Sequence, residues 1–324
     1  MHKKVPISIP VPGVTFGPRP EFLPEVYFPA MTEHVTIGTR GSALALVQAH
    51  WVRGEIIKLS PHLDVHVLII QTSGDKSQAA NTPLSSYSEK GIFAKELEVA
   101  LLDGEIDVAV HSMKDMASTL PDRLHIAAVP LRQDARDAIV GRPLAQLRPG
   151  DRVGTGSVRR SALIRYLRPD LNIVDIRGNV DTRIGKLKEG QYESIVLAVA
   201  GLNRLGRSSV IDEVLDPNSF VPDPGQGALA IQTRVDDLLT NKIVAELNHD
   251  PSFVAITAER AFLAQYGGGC QTPVGAWATV DGENIRLTAM AALDGTVPRY
   301  TVVTGSVLDP VAMGKAAAQK LLSA

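Results

Sequence analysis

At 324 residues the chain has room for two or three domains, each with its own core. Hydrophobic residues at 44% and charged residues at 21% are ordinary for a soluble globular protein. A net charge of −2 excludes the broad basic field that nucleic-acid or membrane binding uses, and no apolar run reaches the roughly 18 residues that span a bilayer.

Residues 1–32 hold seven of the 21 prolines and show neither helical nor strand periodicity, so they read as an irregular arm. They lack the apolar centre of a signal peptide and the Arg/Ser richness of a transit peptide. Regular patterning begins at Val35. Val35–Gly38 predicts a short strand, Thr39–Ser42 a turn, and a helix follows to about Leu59, with Leu44, Val47 and Trp51 on one apolar stripe. Leu63–Gln71 predicts a second strand, completing a βαβ unit. The polar stretch from Thr72 to Lys90 reads as a lid or binding loop. Phe93–Leu102 predicts a helix, and Ile106–Val110 a buried strand that delivers His111-Ser-Met-Lys-Asp115 at its end.

After Ile126–Pro130 a second set of such units begins. Asp137–Val140 predicts a strand, Val153–Ser157 a Gly-rich turn, Val158–Leu167 a helix and Asn172–Ile176 a strand. Val180–Leu187 predicts a helix, and Ser194–Val199 a strand apolar enough to be buried on both faces. Pro222–Gly227 is a breaker cluster where the chain crosses between domains, and Ala228–Gln232 predicts a strand returning to the first. Helices are expected over Asp237–Asn248 and Phe253–Tyr266. Three strands follow around Val274–Val280, Ile285–Leu293 and Tyr300–Val307, joined by Asp-Gly turns, and Pro310–Leu322 closes as a helix. The expected organisation is α/β: residues 33–131 with 228–246 as one domain, 132–227 as a second, and 247–324 as a small α+β domain.

Only one cysteine is present, Cys270, after Gly267-Gly-Gly and before Gln271-Thr-Pro273. It makes no internal disulfide and fits a reducing compartment, so a cytoplasmic protein is expected. Two readings stand for its thiol: a group that attacks or carries something, or a small apolar side chain in a turn. There is no H-E-x-x-H and no His/Cys cluster, so no metal is expected. Gly154-Thr-Gly-Ser157 lacks the third glycine of the dinucleotide fingerprint, and no G-x-x-x-x-G-K-[ST] occurs.

Arg40, Arg159, Arg160, Arg177 and Arg204 fall just after predicted strands, where turns open into helices, and Arg183 lies one turn into the helix that follows Arg177. Helix N-termini already favour anions, and guanidinium groups grip carboxylates bidentately. Repetition at the ends of buried strands points to a cleft for a polyanion, with partly exposed arginines whose charge reversal leaves the fold intact. The competing reading is surface pairing with local acids. Asp115 sits beside Lys114; continued strand alternation turns the two side chains to opposite sides. Its carboxylate either faces the ligand or caps a helix.

Six motifs occur in order: Thr39-Arg-Gly-Ser-Ala-Leu-Ala-Leu, Gly91-Ile-Phe-Ala-Lys-Glu-Leu-Glu, Val110-His-Ser-Met-Lys-Asp, Gly154-Thr-Gly-Ser-Val-Arg-Arg, Arg177-Gly-Asn-Val-Asp-Thr-Arg and Gly267-Gly-Gly-Cys. Together they resemble the porphobilinogen deaminase (hydroxymethylbilane synthase) family from about Val35 to the C-terminus. The resemblance implies two periplasmic-binding-protein-like α/β domains plus a small C-terminal α+β domain. It implies a dipyrromethane cofactor built from substrate and held by a thioether to Cys270. It also implies an enzyme that joins four porphobilinogen units head to tail with loss of ammonia to give hydroxymethylbilane, for haem and other tetrapyrroles. Porphobilinogen carries an acetate and a propionate, so a growing pyrrole chain is a growing polyanion.

Carried over motif by motif, Asp115 is the catalytic carboxylate. Cofactor binding falls to Arg40, Ser42, Lys114, Asp115, Ser157, Arg159, Arg160, Arg183 and Arg204. Arg40, Arg177, Arg183, Ser112, Lys90 and Phe93 face substrate. A monomer is expected, with porphobilinogen and the growing chain as its partners and no nucleic acid or membrane. Two places depart from the commoner family pattern: Met116-Ala117, where a proline often stands, and Ser86–Gly91, which lacks a lysine and two glycines of the usual loop.

Overall fold

The computed structural model describes residues 34–72, 94–267, 272–292 and 297–323. Three sheets organise them. β1 (His34–Thr39), helix α1 (Ala43–Leu59) and β2 (Asp64–Ile69) form the first βαβ unit. Helix α2 (Lys95–Leu102), β3 (Val108–Ser112) and β4 (Leu124–Ala128) follow. The second set comprises β5 (Asp137–Gly141), β6 (Arg152–Gly154), α3 (Val158–Leu167), β7 (Asn172–Val174), α4 (Val180–Lys188), β8 (Ser194–Ala198), α5 (Val199–Arg204) and β9 (Glu213–Val214). β10 (Leu229–Arg234) and α6 (Leu238–Ala245) return to the first sheet. The chain closes with α7 (Asp250–Tyr266), β11 (Val274–Asp281), β12 (Asn284–Ala291), β13 (Arg299–Ser306) and α8 (Pro310–Ser323).

The two larger sheets have orders β2-β1-β3-β10-β4 and β7-β6-β8-β5-β9. They are the same arrangement twice. In each, four strands run in one direction, and the fourth position holds an antiparallel strand that enters after the chain has crossed over: β10 beside β3 and β5 beside β8. This exchange makes two α/β lobes, each completed by a strand from across the crossing. The third sheet is an antiparallel meander, β11-β12-β13, packed on α7 and α8 through Phe262, Leu287, Ala289 and Ala317, which makes the C-terminal part α+β. No helix among the described residues is long and apolar enough to cross a membrane.

The helix after β1 corrects one expectation. Val47 and Trp51 are 40% and 44% exposed, and the buried stripe is Ala45, Gln48, Ala49, Val52 and Ile56. The stripe is offset because small residues let the helix lie close on the sheet, while one polar residue, Gln48, is buried toward β3. Val153 and Gly154, expected within a turn, belong to strand β6.

The crossing segment is held by backbone geometry. Gly225 and Gly227 have φ of +82° and +88°, values that side-chain-bearing residues rarely adopt. A Cβ on Gly225 would lie 2.7 Å from Met113 Cγ, and one on Gly227 would strike the Gln133 carbonyl. Crossing backbone therefore lies directly on the turn that follows β3.

Candidate active site

β3 ends at Ser112, and Met113–Asp115 forms a single 3₁₀ turn. Strand alternation stops there, so Lys114 and Asp115 do not point to opposite sides as expected; both line the same cavity. Asp115 is the last residue of that turn and caps no helix. Among the described residues its carboxylate has no hydrogen-bond partner.

The cavity, of about 320 Å³, lies between the two lobes where the strands of each sheet end. Six cations line it, Arg40, Lys114, Arg160, Arg177, Arg183 and Arg204, against three carboxylates, Asp115, Asp181 and Asp223. Ser42, Ser112 and Ser157 also line it. Two of these serines also cap helices: Ser42 Oγ accepts from the Ala45 amide at 3.3 Å at the start of α1, and Ser157 Oγ from the Arg160 amide at 3.4 Å at the start of α3. Helix N-termini and cations thus converge on one space, which suits an anion.

The cations differ in what balances them. Arg183 Nε donates to Gly178 O at 2.8 Å, and Arg204 Nη2 to Gly227 O at 2.8 Å. Burial lowers both guanidinium pKa values to about 10, with Arg160 and Arg177 adding repulsion at Arg183. Both stay charged at neutral pH. Lys114 Nζ donates to Gln226 Oε1 at 3.2 Å; burial and then the Arg160 charge push its pKa down, against the pull of Asp115, Asp223 and Asp137. Arg177 pairs with Asp175 at 2.8 Å, an acid whose side chain is 57% exposed. Arg204 closes α5 instead of opening a helix.

Arg159 and Arg160 depart from expectation. They are 2% and 6% exposed, and both pair with Asp137, itself fully buried. Arg159 Nη2 reaches Oδ2 at 2.8 Å; Arg160 Nη2 and Nε reach Oδ1 at 2.6 and 3.1 Å. Gln226 Nε2 also donates to Oδ1, at 2.9 Å. Burial pushes the Asp137 carboxyl upward, but the two guanidinium charges and the hydrogen bonds outweigh it and hold it far below the usual carboxylate range. Arg159 Nη1 donates to Val221 O at 2.8 Å, its guanidinium lies 5.9 Å from the Phe220 ring centre, and it does not line the cavity. Its side chain is committed to the core, so the expected partial exposure does not hold. Arg160 belongs to both settings, since it also lines the cavity.

Sequence reading missed Asp137 and Gln226. Gln226, 1% exposed, joins Lys114, Arg160 and Asp137 through one amide. The only local signals were an acid opening an apolar strand, and a glutamine between two glycines. Gln48 was missed too: it is buried and its amide meets Ser112 Oγ at 3.0 Å. Beside it His111, hydrogen-bonded to Gln232 at 3.0 Å, has its pKa lowered to about 4 by burial, partly offset by that bond. Cys270, Lys90, Phe93, the loop after Thr72 and the arm 1–32 lie outside the described residues. Among those described, no group of three or more His, Cys, Asp or Glu side chains is arranged to hold a metal.

Comparison with known proteins identifies what this cavity belongs to. The family model "Porphobilinogen deaminase, dipyromethane cofactor binding domain" matches residues 35–242, and "Porphobilinogen deaminase, C-terminal domain" matches residues 253–323. The chain is 48% identical to the porphobilinogen deaminase of Roseiflexus castenholzii over 298 residues, covering 91% of this chain and 97% of that one. It is 43% identical to that of Deinococcus radiodurans, covering 89% and 95%. Among solved structures, the methionine-binding protein MetQ matches at a TM-score of 0.42 and 14% identity, over 66% of this chain and 89% of that one. Family models cover most of the chain in order, and its relatives align over nearly their full length. This chain is a member of the porphobilinogen deaminase family.

Proposed function

We propose that the arginine-lined cavity is where this enzyme condenses four porphobilinogen units, with loss of ammonia, into hydroxymethylbilane. The observation that carries this reading is the imbalance of six cations against three carboxylates, with Asp115 left without a hydrogen-bond partner among the described residues. Arg183 and Arg204 are desolvated and bonded only to backbone carbonyls, so a ligand with several carboxylates completes the site. A dipyrromethane fits that requirement; when bound it supplies the free pyrrole carbon to which substrate is joined. Cys270, the one thiol of the chain, holds it.

Roles follow from position. Arg40, Ser42, Lys114, Ser157, Arg160, Arg183 and Arg204 hold cofactor carboxylates. Arg40, Arg177, Arg183 and Ser112, with Lys90 and Phe93, receive substrate. Arg159 positions Arg160 through their shared carboxylate. Asp115 offsets positive charge developing on the substrate ring as ammonia departs, a charge that six nearby cations would otherwise oppose. Such preorganised stabilisation is typically worth about 10²–10³ in rate.

The lobes are assigned as 33–131 with 228–246, and 132–227; residues 247–324 carry the cysteine. The protein works as a cytoplasmic monomer. Intact-mass analysis tests the cofactor assignment: active enzyme should exceed its polypeptide mass by one dipyrromethane and turn pink-red with acidic dimethylaminobenzaldehyde. Cys270→Ala should remain folded, lack both signals and show no turnover. Active enzyme at bare polypeptide mass would exclude the assignment, as would a coloured, active Cys270→Ala variant.

A further inference from the structure

A second cavity lies on the far side of the turn that bears Lys114 and Asp115. It has a volume of about 430 Å³, within the roughly 300–1,000 Å³ of small-molecule sites. One wall is a helical stripe of α7, running from Phe253 through Ile256 and Arg260 to Ala264; opposite it are Met113, Ile126 and Val129 from the first lobe. Val311 and Lys315 of α8 complete the rim.

Its chemistry differs from the arginine-lined cavity. The walls are mostly apolar, the charged residues are Arg260 and Lys315, and no Asp or Glu lines it. Arg260 uses one terminal nitrogen, Nη2, to donate to Ala117 O at 2.8 Å and Ser118 O at 3.2 Å. It has no carboxylate partner among the described residues, and burial lowers its pKa. A half-buried guanidinium without a counter-ion is a costly arrangement that an anionic group relieves. Two cations and an apolar wall do not suit a polycarboxylate such as the pyrrole chain.

We infer that this groove binds a small, apolar-bodied molecule with a single acidic head, its carboxylate or sulfonate between Arg260 and Lys315 and its body against Phe253, Ile256 and Val129. Such a ligand would touch Met113, the first residue of the Asp115 turn, so it has a direct mechanical route to the reaction.

The holoenzyme titrated with 8-anilinonaphthalene-1-sulfonate, an apolar bicyclic sulfonate, tests this by fluorescence. Lys315→Glu and Ala264→Glu each add a negative charge at exposed positions of the rim, outside the residues assigned to the reaction. Arg177→Glu serves as the control for binding in the arginine-lined cavity. Saturable binding is expected, with Kd raised at least tenfold by Lys315→Glu and by Ala264→Glu and kept within twofold by Arg177→Glu. Thermal melts of the two rim variants should match wild type. Absence of saturable binding, a Kd indifferent to both rim variants, or one that moves only in Arg177→Glu would overturn the inference.

Discussion

Asp137→Asn isolates what the buried triad contributes. Asparagine keeps the shape, and with Oδ1 in place it still accepts from Arg160 and Gln226. Its amide nitrogen then faces Arg159 Nη2 across the 2.8 Å now spanned by a charge-assisted bond, donor against donor. Two guanidinium groups, 2% and 6% exposed, are left without a counter-charge. At an effective dielectric of about 20, each lost ion pair at roughly 4 Å is worth about 4 kcal/mol. Deleting one partner of a buried pair typically costs about 3–5 kcal/mol, because the surviving charge is stranded. For a protein of this size that corresponds to a melting temperature lower by roughly 4–7 °C. Circular-dichroism melts would measure it. Arg159→Met in the same background should recover part of the loss, since it removes a stranded cation that does not line the cavity. A single Asp137→Asn variant melting within a degree or two of wild type would refute the reasoning, and so would a double variant less stable than Asp137→Asn alone.

Other outcomes follow from neighbouring residues. Asp115→Asn should lose about 10²–10³ in rate while Asp115→Glu keeps measurable turnover, and both should keep their covalent cofactor; single-turnover release of ammonia measures this, and wild-type activity in the Asn variant would remove Asp115 from the chemistry. His111 is held neutral, with a folded pKa of about 4 against 6.5 unfolded. The unfolded chain therefore binds the extra proton, and the stability tied to this group is present above about pH 6.5 and lost as pH falls towards 4, by roughly 3 kcal/mol at most. Melts of His111→Gln should show a shallower acid slope than wild type across that window; equal slopes would contradict it. Gly227→Ala should lower the melting temperature clearly, because it combines a φ of +88° with a clash against the Gln133 carbonyl; a stability gain would show that the crossing backbone is free to move.

Local pattern was enough for most elements. The apolar run Ile195–Leu197 and the apolar–polar alternation of Ile285–Leu287 both form strands, and Asp281-Gly282 turns the chain between the first two strands of the third sheet. The ordered motifs from Thr39 to Cys270 carried the family, and the repeated placement of arginines after strands carried the polyanion cleft. Those signals are short-range, so sequence alone determines them. Which arginine faces the ligand is not short-range. Arg159 and Arg160 are adjacent in sequence and chemically identical, yet one is sealed against Phe220 and Val221 and the other opens on the cavity. Asp137, 22 residues before Arg159 and 89 before Gln226, decides this only once both chain crossings are in place. Strand alternation likewise misjudged Lys114 and Asp115, because the turn at Met113 is pressed into shape by Gly225 from the crossing segment. Burial and charge pairing across the fold, which no periodicity encodes, separate the arginines sealed into the core from those that line the cavity.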